Sequence, residues 1–246
     1  MNLNFITTPS EPSHVDRQVR SPKRLIRSLI FAAVLWMVVP MLSAGAKSSD
    51  LCDQPAQGGV TAFCDDFNSG SAENWSPQGA AIWTVERGRY IGAGAFGAPC
   101  TGFSSKETLI RGLQASNVDI ELDMQSIERV DKAIILRSTG PDNQIEINFR
   151  AERPGEFPAD LIVQEVVNCQ FILHTPEFEV LIPPHQVGET IHVRVRLTGN
   201  RLQVWIDHVL VLKRSFPFTA MQGRVGLGVI EMGITAFDNV QVEVLD

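Results

Sequence analysis

Residues 118–124 read Val-Asp-Ile-Glu-Leu-Asp-Met, a strict alternation of apolar and acidic side chains. Successive side chains of a β-strand point to opposite faces, so the stretch predicts a strand with one buried face and one wet face. The same alternation recurs in residues 145–149, 191–197 and 202–206. In each run we expect the apolar residues in a core and the polar residues in water.

Turn residues separate these runs. Thr198-Gly199-Asn200 lies between two of them, and Asp207-His208 predicts a two-residue hairpin turn with His where Gly is commoner. No stretch after residue 46 has convincing helical periodicity. About twelve strands fit between Phe63 and Val244, and that number at this spacing predicts an all-β domain of two packed antiparallel sheets.

The N-terminus has the order of a secretory signal peptide. A basic stretch at 20–27 precedes an apolar run at 29–39, and Ala-Gly-Ala at 44–46 matches a signal peptidase site. We therefore expect residues 1–46 to be a signal peptide with a polar N-terminal extension. The alternative is an uncleaved membrane anchor over residues 29–46, which is about long enough to span a bilayer.

Cleavage would release an N-terminal arm over residues 47–61 and a domain over residues 62–246, in a secreted or periplasmic location. Without the five basic and two acidic residues of positions 1–46, the totals of 21 and 28 fall to 16 and 26, a net charge of −10. An acidic globule without a basic stripe repels phosphate backbones, so the composition excludes nucleic acid as a partner.

The cysteines agree with export, because all four follow the expected cleavage site. An even number in an exported chain predicts two disulfides, although four cysteines allow three pairings. We favour Cys52–Cys64, which would fix the arm, and Cys100–Cys169, which would tie a loop to a distant strand. A metal site is the alternative, but no Cys-x-x-Cys pair and no neighbouring His supports it.

Several stretches of the domain carry a family resemblance. They are Cys-Asp-Asp-Phe-Asn at 64–68 with Trp75, and residues 83–90, 188–212, 223–228 and 236–240. They resemble laminin-G-like jelly rolls of the concanavalin A-like lectin/glucanase superfamily, and the opening is also similar to 3-keto-disaccharide hydrolase-type domains. The resemblance implies a jelly-roll sandwich. It implies little about activity, because the superfamily includes lectins, glycosidases, lyases and adhesive domains.

Glu121, Asp123 and Gln125 lie on one face of their strand and resemble the E-x-D-x-E strand of the superfamily's β-glucanases. A retaining glycosidase needs two carboxyls, one of which protonates the leaving group. Gln125 stands where the resemblance would place that acid, and an amide cannot perform this step. We therefore do not expect glucanase activity from this strand.

The preferred ligand patch combines an aromatic side chain with planar polar groups, as sugar sites of jelly rolls often do. It consists of Trp205, Gln203, His192, Arg194 and Arg196 on outward positions of two strands. The indole would contact sugar C–H groups, and the polar side chains would reach hydroxyls. The alternatives are a Trp packed under a loop and an ion-pair ladder of the arginines with the acidic strand.

The resemblance also implies a structural Ca²⁺ site near the paired first and last strands. Asp66 and Asp238 are the candidate ligands, although Ca²⁺ takes six to eight oxygens and needs carbonyls or neighbours in addition. The alternative is that both aspartates cap turns.

Three functions follow as hypotheses. The first is an exported, non-catalytic domain that binds a glycan, a cell-envelope polysaccharide or another extracellular surface. The second is a saccharide-acting enzyme, glycosidase- or lyase-like, with its site in the long loops. The third is a structural or adhesive domain with a protein partner. The acidic loop residues that the second would draw on are Glu152, Glu156, Asp160, Glu177 and Glu179.

Overall fold

The computed structural model describes most of the chain after residue 59. The described residues are Cys52, 60–79, 81–94, Cys100, 106–129, 131–230 and 233–245. The expected signal segment and almost all of the N-terminal arm lie outside them. Among the described residues, no helix has the length and apolar character needed to cross a membrane.

Sixteen strands make up the described fold. They are β1 Val60–Asp65, β2 Trp75–Pro77, β3 Ile82–Glu86, β4 Arg89–Ala93, β5 Lys106–Ala115, β6 Val118–Glu128, β7 Asp131–Gly140, β8 Asn143–Arg150, β9 Asp160–Val167, β10 Gln170–Leu173, β11 Val180–Leu181, β12 Thr190–Thr198, β13 Arg201–Ile206, β14 Val209–Ser215, β15 Gly223–Val229 and β16 Ile234–Val244. The count exceeds the predicted twelve mainly because β2, β10 and β11 are too short to show alternation.

The strands form two antiparallel sheets of eight. The first sheet has the order β14-β13-β12-β6-β16-β4-β3, and β1 pairs with β16 at one end. The second sheet has the order β10-β9-β8-β7-β15-β5-β2, and β11 pairs with β9. The predicted all-β, two-sheet antiparallel sandwich is confirmed.

The apolar core lies between the sheets, where the alternation places it. On β6, Ile120 and Leu122 are fully buried, while the alternating residues Glu121 and Asp123 keep partial exposure. β12 and β13 follow the same rule. The burial of one face leaves the polar residues of β6, β12 and β13 together on the outer face of the first sheet.

Local turn chemistry fixes the register of this face. Asp207 and His208 both have positive φ, 47° and 66°, which is the geometry of a two-residue type I′ hairpin. The predicted turn between β13 and β14 is therefore confirmed, although neither residue is Gly. It leaves the His208 side chain exposed beside the outer face.

The expectation of a wet face is wrong for residues 145–149. Glu146 and Asn148 point away from the core of the sandwich, yet they are 0% and 4% exposed. Alternation identifies residues that point away from the core, but it does not report whether that outer face is itself covered. The outer face of the second sheet is buried, and beside these polar side chains it carries a small apolar cluster of Leu109, Ala133, Ile135 and Ile230.

The two favoured disulfides are present. Cys52 is bonded to Cys64 on β1, and Cys100 is bonded to Cys169 in the β9–β10 turn. Cys169 has φ of 63° there. The second bridge closes a long stretch of chain, which stabilises the fold chiefly by restricting the unfolded state.

Candidate functional site

The outer face of the first sheet brings the predicted patch residues together. β12 pairs with β6, so His192 lies opposite Asp123, Arg194 opposite Glu121 and Arg196 opposite Asp119. β13 flanks β12 on its other side, which places Trp205 opposite Arg194 and Gln203 opposite Arg196. All five predicted patch residues therefore share one surface with the acids of β6.

His192 is held between two carboxylates. Its Nδ1 lies 2.8 Å from Asp123 Oδ1, and its Nε2 lies 2.8 Å from Glu121 Oε1. These two hydrogen bonds outweigh the cost of partial burial and raise the pKa of His192 to about 9. The ring is therefore an imidazolium at neutral pH and donates both protons. Asn239 orients Asp123 further by donating its amide to Oδ2 at 2.8 Å.

Asp119 is the anchor of the arginine pair. It is only 4% exposed and accepts two hydrogen bonds from Arg194, at 2.9 and 2.8 Å, and a third from Arg196 at 2.6 Å. The arginine side chains are about one-third exposed. The alternative of an ion-pair ladder is thus correct for the arginines, whose side chains nevertheless remain partly accessible.

Trp205 completes a small pocket on this surface. The guanidinium of Arg194 lies 5.5 Å from the centroid of its ring, a cation–π contact. The Trp205 pocket has a volume of about 170 Å³ and is lined by Glu121, His192, Arg194, Trp205 and His208. The His192 and His208 rings are 5.1 Å apart. Trp205 is half-buried, and its ring is part of the wall of the pocket.

Gln125 does not supply an acid. Its Oε1 accepts a hydrogen bond from Arg89 Nη1 at 2.6 Å, and its Nε2 donates to the carbonyl of Gly188. The amide is therefore fixed as a link between β4, β6 and the loop before β12. The strand face carries two carboxylates engaged by His192 and no third carboxyl at position 125.

Most acids of the long loops are engaged by arginine. Asp160 forms a two-bond ion pair with Arg150, at 2.6 and 2.7 Å. Glu177 also contacts Arg150, Glu156 contacts Arg153, and Glu179 contacts Arg214. Each of these four acids therefore has an arginine partner, and Asp160 and Glu177 share the guanidinium of Arg150.

The candidate calcium ligands lie near each other at the paired ends of β1 and β16. Asp66 accepts from the backbone and side chain of Asn68, at 3.0 and 2.9 Å, as a turn cap does. Burial raises the pKa of Asp238 to about 6, and the charges of Asp123 and Asp66 add to the effect. Two carboxylates are too few for Ca²⁺, and within the described part of the chain no group of three or more metal-binding side chains occurs.

Comparison with solved structures identifies the fold. The carbohydrate-binding module CBM66 from Bacillus subtilis matches with a TM-score of 0.53 and 19% identity, over 69% of this chain and 95% of the module. A putative glycosyl hydrolase from Parabacteroides distasonis ATCC 8503 matches with a TM-score of 0.50 and 15% identity, over 73% of this chain and 92% of that one. The chain shares the two-sheet β-sandwich fold of these proteins.

A third match shows the jelly roll as part of a larger enzyme. Xylan β-1,4-xylosidase from Bacillus halodurans C-125 matches with a TM-score of 0.54 and 10% identity, over 78% of this chain and 41% of the enzyme. No protein-family profile and no curated protein matches the sequence. At these identities the likeness establishes the fold and leaves the activity open.

Three residues of the Trp205 pocket region escaped sequence reasoning as site residues. The sequence presents Glu121 and Asp123 as a glucanase-like acidic strand or as ion-pair partners of the arginines, and not as partners of His192, because alternation does not say which cation they meet. His208 lies in a turn, and only the hairpin geometry places its ring beside His192. The β12–β6 pairing was the missing information, and nothing local in either strand specifies it.

Proposed function

We propose that this chain is an exported carbohydrate-binding jelly roll that holds its ligand in the Trp205 pocket. The observation that carries the proposal is the Arg194–Trp205 stack at the wall of a pocket with oriented charged groups. An aromatic face covers the apolar side of a sugar ring, and planar polar groups bond its hydroxyls. The fold agrees, since it occurs in a carbohydrate-binding module.

The charges of the pocket favour a neutral or weakly charged glycan. His192 and Arg194 are cationic, but each is already paired with Asp123, Glu121 or Asp119. Both N–H groups of His192 are engaged, so hydrogen bonds to a ligand would come from the remaining N–H groups of Arg194 and the remaining lone pairs of Glu121. Such a mixed set suits hydroxyl groups, which both donate and accept. Gln203 and Arg196, on the neighbouring row, would extend the contact along a polymer.

Export rests on the N-terminal pattern and agrees with two disulfides, which persist in oxidising compartments. A cell-envelope or extracellular polysaccharide is then the expected partner. Calcium at Asp66 and Asp238 would be structural, with backbone carbonyls or water completing its shell. It would stabilise the paired termini without contacting the ligand.

Affinity gel electrophoresis of the full chain against a panel of soluble polysaccharides tests the proposal. Loss of an aromatic anchor costs about 2 kcal/mol, so Trp205→Ala should weaken binding at least tenfold. Phe178→Ala is the control, because Phe178 is an aromatic residue, 44% exposed, outside the pocket. Equal retardation of Trp205→Ala and the parent would refute the site, and no retardation by any polysaccharide would favour the protein-partner alternative.

A further inference from the structure

An exposed leucine lies beside the indole of the Trp205 pocket. Trp205 on β13 pairs in register with Leu210 on β14, and residues paired across neighbouring strands point to the same face of the sheet. Leu210 is 45% exposed, although its side chain is large and apolar. The outer face of the first sheet therefore carries an indole and a leucine side chain next to each other, at the edge of a surface that is otherwise charged.

The Trp205 pocket is smaller than a pocket that encloses a complete ligand. Its volume is about 170 Å³, whereas pockets that enclose a whole small molecule measure about 300–1,000 Å³. The size suits one substituent of a sugar ring, while the rest of the ring lies across the surface. The atoms that line the pocket then decide which substituent it takes.

Two polar side chains of the pocket keep unused hydrogen-bonding atoms. Arg194 donates from Nε and Nη2 to Asp119, which leaves the two N–H groups of Nη1 without a partner among the described residues. Glu121 accepts from His192 through Oε1, and its Oε2 has no partner in the described part of the chain. The pocket thus offers a ligand one donor group and one acceptor.

Strand register holds this donor and this acceptor next to each other. Arg194 on β12 lies directly opposite Glu121 on β6, and the Cβ atoms of residues paired in this way are about 4.5–5.5 Å apart. Asp119 fixes the guanidinium by two hydrogen bonds, and His192 fixes the carboxylate by one. A ligand group that both donates to Glu121 and accepts from Arg194 therefore meets two oriented partners.

We propose that the Trp205 pocket recognises the acetamido group of an N-acetylated amino sugar, an inference that rests on the proposed function of this site. The amide N–H donates to Glu121, and the amide oxygen accepts from Arg194. The acetyl methyl group lies against the apolar pair of Trp205 and Leu210. A polymer of such sugars uses the donor, the acceptor and the apolar surface of the pocket together.

Other substituents of sugars use only part of this set. A hydroxyl group donates and accepts, but it brings no methyl group to the exposed leucine. An O-acetyl ester has the methyl group and an acceptor but no N–H, so Glu121 would face it without a hydrogen bond. A free ammonium group only donates, which leaves Arg194 unused. A carboxylate only accepts, and it would meet the negative charge of Glu121.

Isothermal titration calorimetry with three matched oligosaccharides tests the inference. The probes are β-1,4-linked tetramers of N-acetylglucosamine, glucose and glucosamine, which differ only in the substituent at carbon 2 of each ring. The full chain at pH 7 should bind the acetylated tetramer at least about tenfold more tightly than the glucose tetramer, which lacks both the methyl group and the amide. The glucosamine tetramer should also bind more weakly than the acetylated one.

Leu210→Ser and Val209→Ser are a matched pair of variants. Val209 is 56% exposed and adjacent in sequence, but it pairs with Ile206, which is buried on the core side of the sheet. Loss of the contact between Leu210 and the methyl group should weaken binding of the acetylated tetramer about fourfold, the factor that burial of one methyl group contributes. Val209→Ser should leave this affinity unchanged.

The possible results assign failure to one proposal or to both. A preference for the acetylated tetramer that falls in Leu210→Ser and not in Val209→Ser supports the inference. A preference that Leu210→Ser does not reduce overturns it. Equal or tighter binding of the glucose tetramer that is lost in Trp205→Ala overturns the acetamido group and leaves the pocket as a glycan site. If no tetramer binds, the acetamido inference is wrong, and the polysaccharide panel alone decides the proposed function.

Discussion

Replacement of Lys132 by Met should remove a pH-dependent penalty from the core. Lys132 is fully buried, and its ammonium contacts Ser126 Oγ at 3.2 Å and His185 Nε2 at 3.0 Å, with no carboxylate in contact among the described residues. Burial lowers the pKa of Lys132 to about 7 from 10.5, and the nearby charge of Asp131 opposes this only in part. Met matches the length of Lys and is apolar, so the core can accept it.

The magnitude follows from proton linkage. Between pH 7 and 10.5 the unfolded chain holds the Lys132 proton and the folded chain releases it, so folding becomes more favourable as pH rises. Each pH unit in this window contributes about 1.4 kcal/mol, and from pH 7 to 9.5 the native protein should gain about 3 kcal/mol relative to Lys132→Met. The variant also leaves the His185 acceptor unpaired, at a fixed cost of about 1–3 kcal/mol.

Urea unfolding of both proteins at half-unit steps from pH 7 to 9.5 measures this difference. Subtracting the unfolding free energy of the variant from that of the parent cancels the contributions of other groups that titrate in this pH range, since both proteins contain them. Lys213→Met is the control, because Lys213 is exposed on β14. The difference in unfolding free energy between this variant and the parent should not change with pH. If the difference in unfolding free energy between the parent and Lys132→Met does not change with pH, or if the variant becomes relatively more stable as pH rises, the buried-ammonium argument is refuted.

Three further predictions follow. Because the pKa of His192 is raised to about 9, its contribution to stability is complete below pH 6.5 and is lost as pH rises through 9. His192→Asn should therefore reduce the change of stability with pH over that window by about 2 kcal/mol, measured by thermal unfolding. An unchanged pH profile would contradict the two hydrogen bonds of His192. Asp119→Asn should lower the free energy of unfolding by about 2 kcal/mol, because Arg194 and Arg196 lose the buried anion that they share. The change would appear as a lower urea midpoint. A midpoint equal to that of the parent would mean that solvent satisfies both arginines. Added Ca²⁺ should raise the melting temperature and a chelator should lower it if the predicted calcium site exists, and scanning calorimetry that shows neither effect would remove that site.

The sequence predicted the first sheet better than the second because its outer face over β12 and β13 is partly exposed to water. Where the outward polar residues are in contact with water, the alternation of apolar and polar residues matches the alternation of buried and exposed ones. Residues 118–124 then suffice to predict which face of the strand points to the core. The hairpin turn at Asp207 and His208 was predictable for a different reason, since the two-residue length of the turn largely sets its geometry. What alternation could not give was the partner of each polar residue, because strand order depends on contacts far apart in the chain.

The second sheet contains buried polar residues that the alternation of the sequence does not predict. Lys132 lies in register with the core residue Phe149, so a polar residue occupies a position that alternation alone would assign to an apolar one. Glu146 and Asn148 lie on the face that the pattern assigns to water, and they are buried too. A buried charge is costly wherever it lies, so groups retained against that cost indicate a role that hydrophobic patterning cannot report. The outer face of the first sheet differs, because the polar side chains around Trp205 are ion-paired and still partly exposed, which leaves them accessible to a polymer.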